Sequence, residues 1–288
     1  GRTSNTVRNA AEWKRASVPE GPEIRLAADK VARVLVGRPL VEVEFGLQSL
    51  RRYKRRLTGA TVTAVDTRGK AMLTRFDTGL TLYSHNQLYG KWFTTARPRR
   101  PKTARQLRVG LHTDTHSALL YSASDIEVLT ARGLERHPFL NRVGPDILDP
   151  KLTADAIRQR LASTRFRNRA LGALYLDQAF LAGIGNYLRS EILWAAGVDP
   201  ALRPSQLEDT ALRAIAKETL AISRRSYRTR GVTAPPKQAK ERKALGMSYG
   251  QYRFQVFGRE GQDCYACGTP IQRTTMGSRN LFVCPDCQ

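Results

Sequence analysis

Residues 176–194 read LDQAFLAGIGNYLRSEILW, a glycine-rich break between two apolar patterns with helical spacing. Gly183 and Gly185 interrupt the first pattern, and Asn186 stands where the second begins. A turn of this kind exposes backbone N–H groups at a helix N-terminus, where phosphate is favoured, and the Asn186 side chain adds a donor. Most glycine-rich corners serve packing alone, so this break predicts a phosphate site only together with other signals.

Helical spacing continues on both sides of this break and predicts an all-α domain. Thr153 is placed to cap the helix that follows it, and apolar spacing predicts another helix over residues 170–182. Ser205 and Glu208 have the spacing of a capping box for a further long helix.

The preceding residues show a different pattern. A helix is predicted to begin at Pro22, which suits a first turn, and to end at Gly37. Short β-rich segments separated by Gly, Asp and Thr turns follow it, and they predict an antiparallel sandwich or barrel. These segments are LVEVEF, ATVTAVDTR, AMLTRF, LTLYSH, KWFTT, LRVGLHT and ALLYSAS.

The cysteines form two C-x2-C pairs near the end of the chain, separated by 16 residues. They are Cys264, Cys267, Cys284 and Cys287. Paired knuckles of this spacing bring four thiolates around one tetrahedral zinc ion. Two disulfides are the alternative, which the C-x2-C spacing and a cytosolic setting disfavour. The sequence therefore predicts a C-terminal zinc finger.

The chain of 288 residues carries 48 Lys and Arg against 25 Asp and Glu, a net charge of +23. Such a surplus favours an anionic partner, most commonly nucleic acid, although a merely basic soluble protein or one that touches anionic lipid has the same composition. No apolar run approaches the roughly 20 residues that a bilayer span needs, and no signal peptide is evident. We expect an intracellular, cytoplasmic protein without a membrane partner.

Five motifs in this order resemble the formamidopyrimidine-DNA glycosylase/endonuclease VIII family. They are PEGPEI at 19–24, TRGKAML at 67–73, SHNQLYG at 84–90, the stretch at 176–194 and the four cysteines. The resemblance covers residues 19–288, and SHNQLYG is similar to the bacterial endonuclease VIII branch rather than to the purine-directed branch.

The resemblance implies an α+β multidomain fold: an antiparallel β-sandwich with flanking helices, a helix–two-turns–helix domain and a zinc finger. The predicted strands and helices follow the same order. The expected segments are an extension at 1–18, a catalytic β-sandwich domain at 19–143, a DNA-binding helical domain at 144–230, a linker at 231–258 and the finger at 259–288.

The family implies a bifunctional glycosylase and abasic-site lyase that removes oxidised pyrimidines from double-stranded DNA. The resemblance makes Pro19 the nucleophile, through an N-terminal secondary amine. An α-amine has a pKa near 8, so an appreciable share is neutral at pH 7. Glu20 is implied as general acid, and Glu23 as a second carboxylate that orients or relays a proton. Without the other motifs, Pro19 would be only a turn former.

Further residues are implied to contact DNA. Lys70 is expected to contact phosphate and assist base release. The alternative interpretation is that Lys70 is an ordinary surface lysine. Gln87, Leu88 and Tyr89 are expected to fill the gap left by a flipped nucleotide, although a β-turn with buried Leu and Tyr is nearly as compatible with the sequence.

Two arginines complete the expected set. Arg142 resembles an inter-domain DNA contact, and Arg279 matches the finger-tip arginine that assists the second elimination. Either could also be one more solvated arginine. Glu191 is expected to support the helix break, and the four histidines, which lack ligand spacing, are interpreted as structural. Zinc is the expected structural metal, with no redox cofactor, and the protein is expected to be a monomer.

The chain departs from the family pattern at one position. Val18 precedes Pro19, so the proline nitrogen as written is an inert amide. A GTG start codon read as Val would explain Val18 as a removed initiator. If residues 1–18 stay attached, we expect a protein that binds DNA without cleaving it. Purine specificity on the same scaffold and an unrelated zinc-finger nucleic-acid protein are also compatible with parts of the sequence.

Overall fold

The computed structural model describes residues 18–288, and residues 1–17 of the expected extension lie outside that range. The chain divides into one unit formed by Pro19–Val143 and another that contains Gly144–Gln288. No helix within residues 18–288 is long and apolar enough to cross a membrane.

The Pro19–Val143 unit is built on two antiparallel four-stranded sheets, in the orders β1-β6-β7-β5 and β2-β3-β4-β8. The strands are β1 (Glu42–Phe45), β2 (Val62–Arg68), β3 (Ala71–Phe76), β4 (Thr81–His85), β5 (Lys91–Ala96), β6 (Leu107–His112), β7 (His116–Tyr121) and β8 (Asp125–Leu129). The expected sandwich is confirmed.

Helix α1 (Gly21–Leu35) covers one open side of this sandwich. Ile24, Ala28, Val31 and Leu35 recur at helical spacing and are at most 2% exposed, so one face of the helix enters the core. The face packs chiefly on β2, β3, β5 and β7. Pro22 lies in the first turn, as the sequence predicts.

Five elements of this unit were not predicted from local sequence patterns. A 3-10 helix (Gln48–Tyr53) continues into α2 (Lys54–Leu57), and both are dominated by polar residues that gave no apolar periodicity. Strand β8 directly follows the last predicted segment, so no turn signal marked it as separate. Two short helices end the unit, α3 (Ala131–Arg136) and α4 (Pro138–Arg142).

The second unit is helical up to residue 252 and ends in a β-hairpin. Its helices are α5 (Ala154–Ala162), α6 (Leu171–Leu174), α7 (Asn186–Ala195), α8 (Asp209–Arg228), α9 (Pro236–Ala244) and α10 (Tyr249–Tyr252). The hairpin pairs β9 (Gln272–Met276) with β10 (Arg279–Val283). Thr153 caps α5 as predicted, because its hydroxyl oxygen accepts a hydrogen bond of 3.1 Å from the Ala156 N–H.

The helix predicted over residues 170–182 is wrong beyond its first turn. After α6, the Asp177 side chain accepts the Ala179 N–H at 2.8 Å, and the Gln178 side chain bonds Gly183 N and Ile184 O at 2.9 and 2.8 Å. These local bonds compete with helical ones and turn the chain.

The predicted capping box at Ser205 and Glu208 is also wrong. Pro204 begins a 3-10 turn, in which the Gln206 side chain accepts the Arg203 N–H at 2.9 Å, and α8 starts only at Asp209.

The segment predicted as a linker contains the nine-residue helix α9. The chain before α9 is bonded to the chain after it, because the N–H groups of Thr233 and Ala234 both donate to the Arg253 carbonyl, at 2.9 and 3.0 Å.

Candidate active site and metal centre

The start of α1 holds two carboxylates in fixed positions beside Pro19. Glu20 is the N-cap residue and is only 2% exposed, and its carboxylate accepts a hydrogen bond from the Glu23 N–H. In return, the Glu20 N–H donates to Glu23 Oε2 at 3.1 Å. A helix N-terminus favours negative charge, so both carboxylates suit this position. The half-buried Pro19 is thus next to groups that can donate or accept a proton.

Lys70 lies in the two-residue turn between β2 and β3. Gly69 occupies the first position of the turn with φ of +59°, a conformation that favours glycine. Lys70 itself is half-buried. Arg25 of α1 lies near this end of β2, with Nη1 3.5 Å from Thr67 Oγ1. The tight turn and this contact keep the lysine at the end of the strand that α1 covers.

His85 is the last residue of β4, in a position that the sequence did not reveal. It pairs with Ala71 in β3 and Asp125 in β8, and its Nδ1 accepts the Gln87 N–H at 3.2 Å. Burial lowers the pKa of His85, the Lys70 charge lowers it further, and Asp125 opposes both effects. The imidazole is therefore favoured in its neutral form, as the accepting Nδ1 requires. The bond to the Gln87 main chain is compatible with the interpretation of the histidines as structural, and the sequence did not reveal that His85 lies near both Lys70 and Gln87.

The turn at residues 87–89 presents two apolar side chains to solvent, since Leu88 is 60% and Tyr89 is 68% exposed. Gln87 adopts a left-handed φ of +51°, and its Oε1 accepts a hydrogen bond of 2.9 Å from the Ser124 hydroxyl. Arg105 donates to the Tyr89 carbonyl. A turn with buried Leu and Tyr is thus ruled out. The geometry supplies an apolar projection beside an amide.

In the second unit, Asn186 opens α7 directly after the N-cap Gly185, at the predicted glycine-rich break. The Asn186 Oδ1 accepts a bond of 2.6 Å from Arg189, which is fully buried. Arg189 also donates to the carbonyls of Gly172, Met276 and Asn280, at 2.7, 2.8 and 3.1 Å. One buried guanidinium therefore ties the helix break to the β9–β10 hairpin.

Glu191 lies two residues further along α7 and is 1% exposed. It accepts a bond of 2.7 Å from the Thr233 hydroxyl and bonds of 2.8–2.9 Å from the N–H groups of Gln255, Val256 and Phe257. Glu191 is expected to support the helix break, and the bonds of Glu191 secure the chain that leads into the hairpin. A charged residue within an otherwise apolar helical pattern was the available signal for both Arg189 and Glu191.

Arg279 is exposed at the tip of the hairpin. Gly277 and Ser278 form the two-residue turn before it, with φ of +64° and +61°. A turn with two left-handed residues matches the twist of a hairpin, so Arg279 projects from a defined position. Arg142 is exposed at the end of α4 in the first unit.

The four cysteine sulfurs lie within 4.8 Å of one another. Cys264 and Cys287 Sγ are 3.8 Å apart, and Cys267 and Cys284 Sγ are 3.4 Å apart. Hydrogen bonds from Thr269 lower the pKa of Cys267 to about 6, whereas burial raises the pKa of Cys284 and of Cys287. Four convergent thiols are the donor set of a tetrahedral structural zinc site, so the cluster fits a metal ion of that type.

The comparisons with known proteins agree with this architecture. The formamidopyrimidine-DNA glycosylase N-terminal domain model matches residues 18–124, and the formamidopyrimidine-DNA glycosylase H2TH domain model matches residues 143–235. Curated proteins named endonuclease 8, from Salmonella agona and from an Escherichia coli strain, are each 51% identical over 271 residues. The match spans 94% of this chain and 100% of each relative.

Solved structures share the fold at lower sequence identity. MutM in complex with DNA containing carbocyclic 8-oxo-G has a TM-score of 0.77 at 21% identity, over 94% of this chain and 99% of that one. Lactococcus lactis Fpg in complex with DNA containing an abasic site has a TM-score of 0.77 at 20% identity, over 93% and 99%. The same Lactococcus lactis protein bound to DNA containing an oxidised pyrimidine has a TM-score of 0.77 at 21% sequence identity. The match covers 94% of this chain and 99% of that one.

Proposed function

Because this chain belongs to the formamidopyrimidine-DNA glycosylase family and is a DNA repair glycosylase related to endonuclease 8, we propose that it excises oxidised pyrimidines and cleaves the strand at the resulting site. The observation that carries the proposal is the start of α1, where Pro19 adjoins the buried, hydrogen-bonded carboxylate of Glu20. A nucleophile next to a positioned proton donor is what base displacement requires.

The first step is attack by a neutral Pro19 nitrogen on C1′ of the damaged nucleotide. The bond from C1′ to the base breaks, and the leaving base takes a proton from Glu20, with Glu23 holding the Glu20 main chain in place. The attached nitrogen then loses its proton, and its lone pair forms the C1′=N bond of an iminium ion while the C1′–O4′ bond breaks. The sugar ring opens, and O4′ takes up a proton. Lys70, near the neutral His85, is proposed to contact the phosphate and assist base release.

The iminium ion withdraws electrons and acidifies the C2′ proton. Loss of that proton expels the 3′ phosphate, and a second elimination expels the 5′ phosphate. Arg279, at the tip of the hairpin, is proposed to stabilise the negative charge that develops on phosphate in the second step. Water releases the sugar fragment and restores the amine.

The remaining site residues are proposed to hold damaged double-stranded DNA. Leu88 and Tyr89 are exposed enough to stack in the space left by a flipped nucleotide, and Gln87 would exchange its Ser124 bond for one to the orphaned base. Asn186 and Arg142 are proposed to contact phosphates. Zinc is proposed for Cys264, Cys267, Cys284 and Cys287, where it would stiffen the hairpin that carries Arg279. We propose that a monomer acts in the bacterial cytoplasm.

The reaction requires a free Pro19 amine, so the active form is one in which no peptide bond joins Val18 to Pro19. The presence of Val18 in the sequence favours a second candidate function, a lesion binder that does not cleave DNA. The two functions differ in whether a covalent intermediate forms.

Borohydride reduction separates these functions. With thymine-glycol or abasic duplex DNA, the enzyme gives a covalent adduct that Pro19→Gly or a blocked amine abolishes, whereas the binder gives only reversible, salt-sensitive binding. Competition between thymine-glycol and 8-oxoguanine duplexes tests the substrate class, and preferential excision of 8-oxoguanine would contradict pyrimidine specificity.

A further inference from the structure

The Pro19–Val143 unit carries a strongly basic surface that the proposed reaction does not use. It lies on the 3-10 helix and on α2, and we name it the basic turn. Its five exposed cations are Arg51, Arg52, Lys54, Arg55 and Arg56. Leu50 and Leu57, 3% and 0% exposed, anchor it to the sandwich core. The anchored backbone holds the cations on one compact element.

The charges of the basic turn are not compensated by acidic groups. Within residues 18–288, no ion pair joins any of the five cations to a carboxylate, whereas Arg97 pairs with Glu42 and Arg100 with Glu44 in the same sandwich, at 2.9 and 2.5 Å. Five like charges within six residues repel one another, and only salt or an anionic partner relieves the repulsion. The surface is therefore suited to a polyanion.

The basic turn and the candidate active site lie on different sides of the sandwich. Helix α1, which starts beside Pro19, packs chiefly on β2, β3, β5 and β7, while the basic turn contacts β1 and β8. Strands β1 and β8 are edge strands, at the opposite ends of their sheets from β5 and β2. The two elements thus cover opposite open sides, so the basic turn lies away from the helix that starts beside Pro19.

We propose that the basic turn binds the phosphate backbone of a second segment of duplex DNA while a first segment occupies the active site. This inference rests on the proposed function. Four of the five cations are arginines, whose planar guanidinium groups match phosphate oxygens in pairs. Duplex DNA carries one negative charge per about 1.7 Å of its axis, a density that suits so concentrated a cationic surface better than an acidic peptide does.

Holding two segments at once gives the enzyme a direct route between them. Contact with phosphates carries no sequence information, so any undamaged DNA serves as the second segment. The enzyme then passes to the new segment without first returning to free solution. The second segment is either a distant part of the same DNA molecule or another molecule.

A transfer assay tests this inference. The enzyme is bound to a labelled undamaged duplex and mixed with rising concentrations of an unlabelled duplex. We expect the rate of label release from the unsubstituted protein to increase with competitor concentration, and the rate from R52Q/R55Q/R56Q to be independent of it. The control R38Q/R99Q/K102Q removes the same charge from exposed positions of the same unit outside the basic turn and should keep the dependence.

Two further measurements sharpen the result. Loss of three phosphate contacts should reduce the slope of log affinity for the second duplex against log salt by about 2.7. Equal excision of thymine glycol from a short duplex by both triple variants shows that each is folded. If R52Q/R55Q/R56Q misfolds, the single variant R55Q replaces it, with a slope reduction of about 0.9.

Equal dependence on competitor in both triple variants, or displacement by polyglutamate as effective as by duplex DNA, would overturn the inference. Transfer between separate short duplexes means that the second segment can belong to another DNA molecule. Transfer confined to one long duplex means that it is a distant part of the same molecule. Either result supports binding of a second segment by the basic turn. The assay uses undamaged DNA and needs no chemistry, so failure of excision in the unsubstituted protein is distinguishable from failure of transfer.

Discussion

Individual side chains around Pro19 combine a structural bond with a proposed chemical task. The Glu20 carboxylate caps α1 and is also the proposed proton donor, and His85 holds the Gln87 main chain while it lies near Lys70. Substitutions that keep the structural bond and remove the chemical group therefore separate the two tasks.

Glu20→Gln is such a substitution. Glutamine keeps an oxygen that can accept the Glu23 N–H, so we expect the free energy of unfolding to fall by less than about 0.5 kcal/mol. Excision of thymine glycol should slow by about 10²–10⁴-fold, because the departing base loses its proton donor. Borohydride trapping at a preformed abasic site, which has no base to protonate, should fall much less. Equal losses in single-turnover excision and in trapping would contradict this role.

His85 should make stability depend on pH. Its folded pKa lies below the ordinary value of 6.5, so its contribution is complete above about pH 6.5 and is lost as pH falls through the folded pKa. Protonation of Nδ1 would also remove the bond from the Gln87 N–H. We expect unfolding free energies, measured between about pH 5 and 7.5, to decrease on acidification more steeply for the unsubstituted protein than for His85→Gln. Parallel curves for the two proteins would contradict this account.

At the scale of elements, α9 is attached to the cysteine cluster by one aromatic ring. The guanidinium carbons of Arg242 and Arg259 each lie 3.5 Å from the Tyr265 ring centroid. Arg242 and Arg259 are 6% and 4% exposed, and burial lowers the pKa of both. Contact with the ring's π-electrons offsets part of the cost of burying these charges.

We expect Tyr265→Leu to lower the free energy of unfolding by about 2 kcal/mol, because two desolvated cation–π contacts are lost. Tyr265→Phe keeps the ring and should cost much less. Denaturant titration measures both effects, and limited proteolysis should show faster cleavage within residues 236–252 only for Tyr265→Leu. Identical cleavage of the two variants would mean that the ring does not hold α9.

The turn of the β9–β10 hairpin should control the second elimination. A Cβ atom at Gly277 would lie 3.1 Å from Leu176 Cδ1, at a left-handed φ of +64°. Gly268 has a comparable φ of +81° but no atom within 4 Å of a Cβ, so Gly268→Ala is the matched control. Each substitution should cost about 1–2 kcal/mol of backbone strain.

Only Gly277→Ala should also push the hairpin, and with it Arg279, away from its position. We expect this variant to accumulate the product of the first elimination, which gel analysis of the strand ends distinguishes from the final product. If Gly268→Ala accumulates as much, the packing of the turn has no part in the second step.

For the molecule as a whole, most of the architecture could be predicted from local sequence patterns. Thr153, the C-x2-C pairs and the alternation of short β-rich segments are signals confined to a few residues, and they predicted a helix start, the cysteine cluster and the sandwich. The resemblance supplied the family, which the domain matches confirm.

What the sequence did not reveal depends on partners that are distant along the chain. Arg189 bonds Asn280, 91 residues away, and its charge within an apolar helical pattern signals a special role without identifying that partner. Asp177 and Gln178 end a helix that periodicity predicts to continue, because their side chains take over main-chain bonds. His85 acquires its place beside Lys70 only when β3 and β4 pair.

The proposed function depends above all on a covalent bond between the Pro19 nitrogen and the sugar. The most direct measurement is mass spectrometry of the peptide crosslinked to DNA after borohydride reduction on an abasic duplex. We predict a peptide that begins at Pro19 and carries the sugar on its secondary amine. A crosslink on a lysine such as Lys70, or on a chain that still contains Val18, would contradict the proposed function.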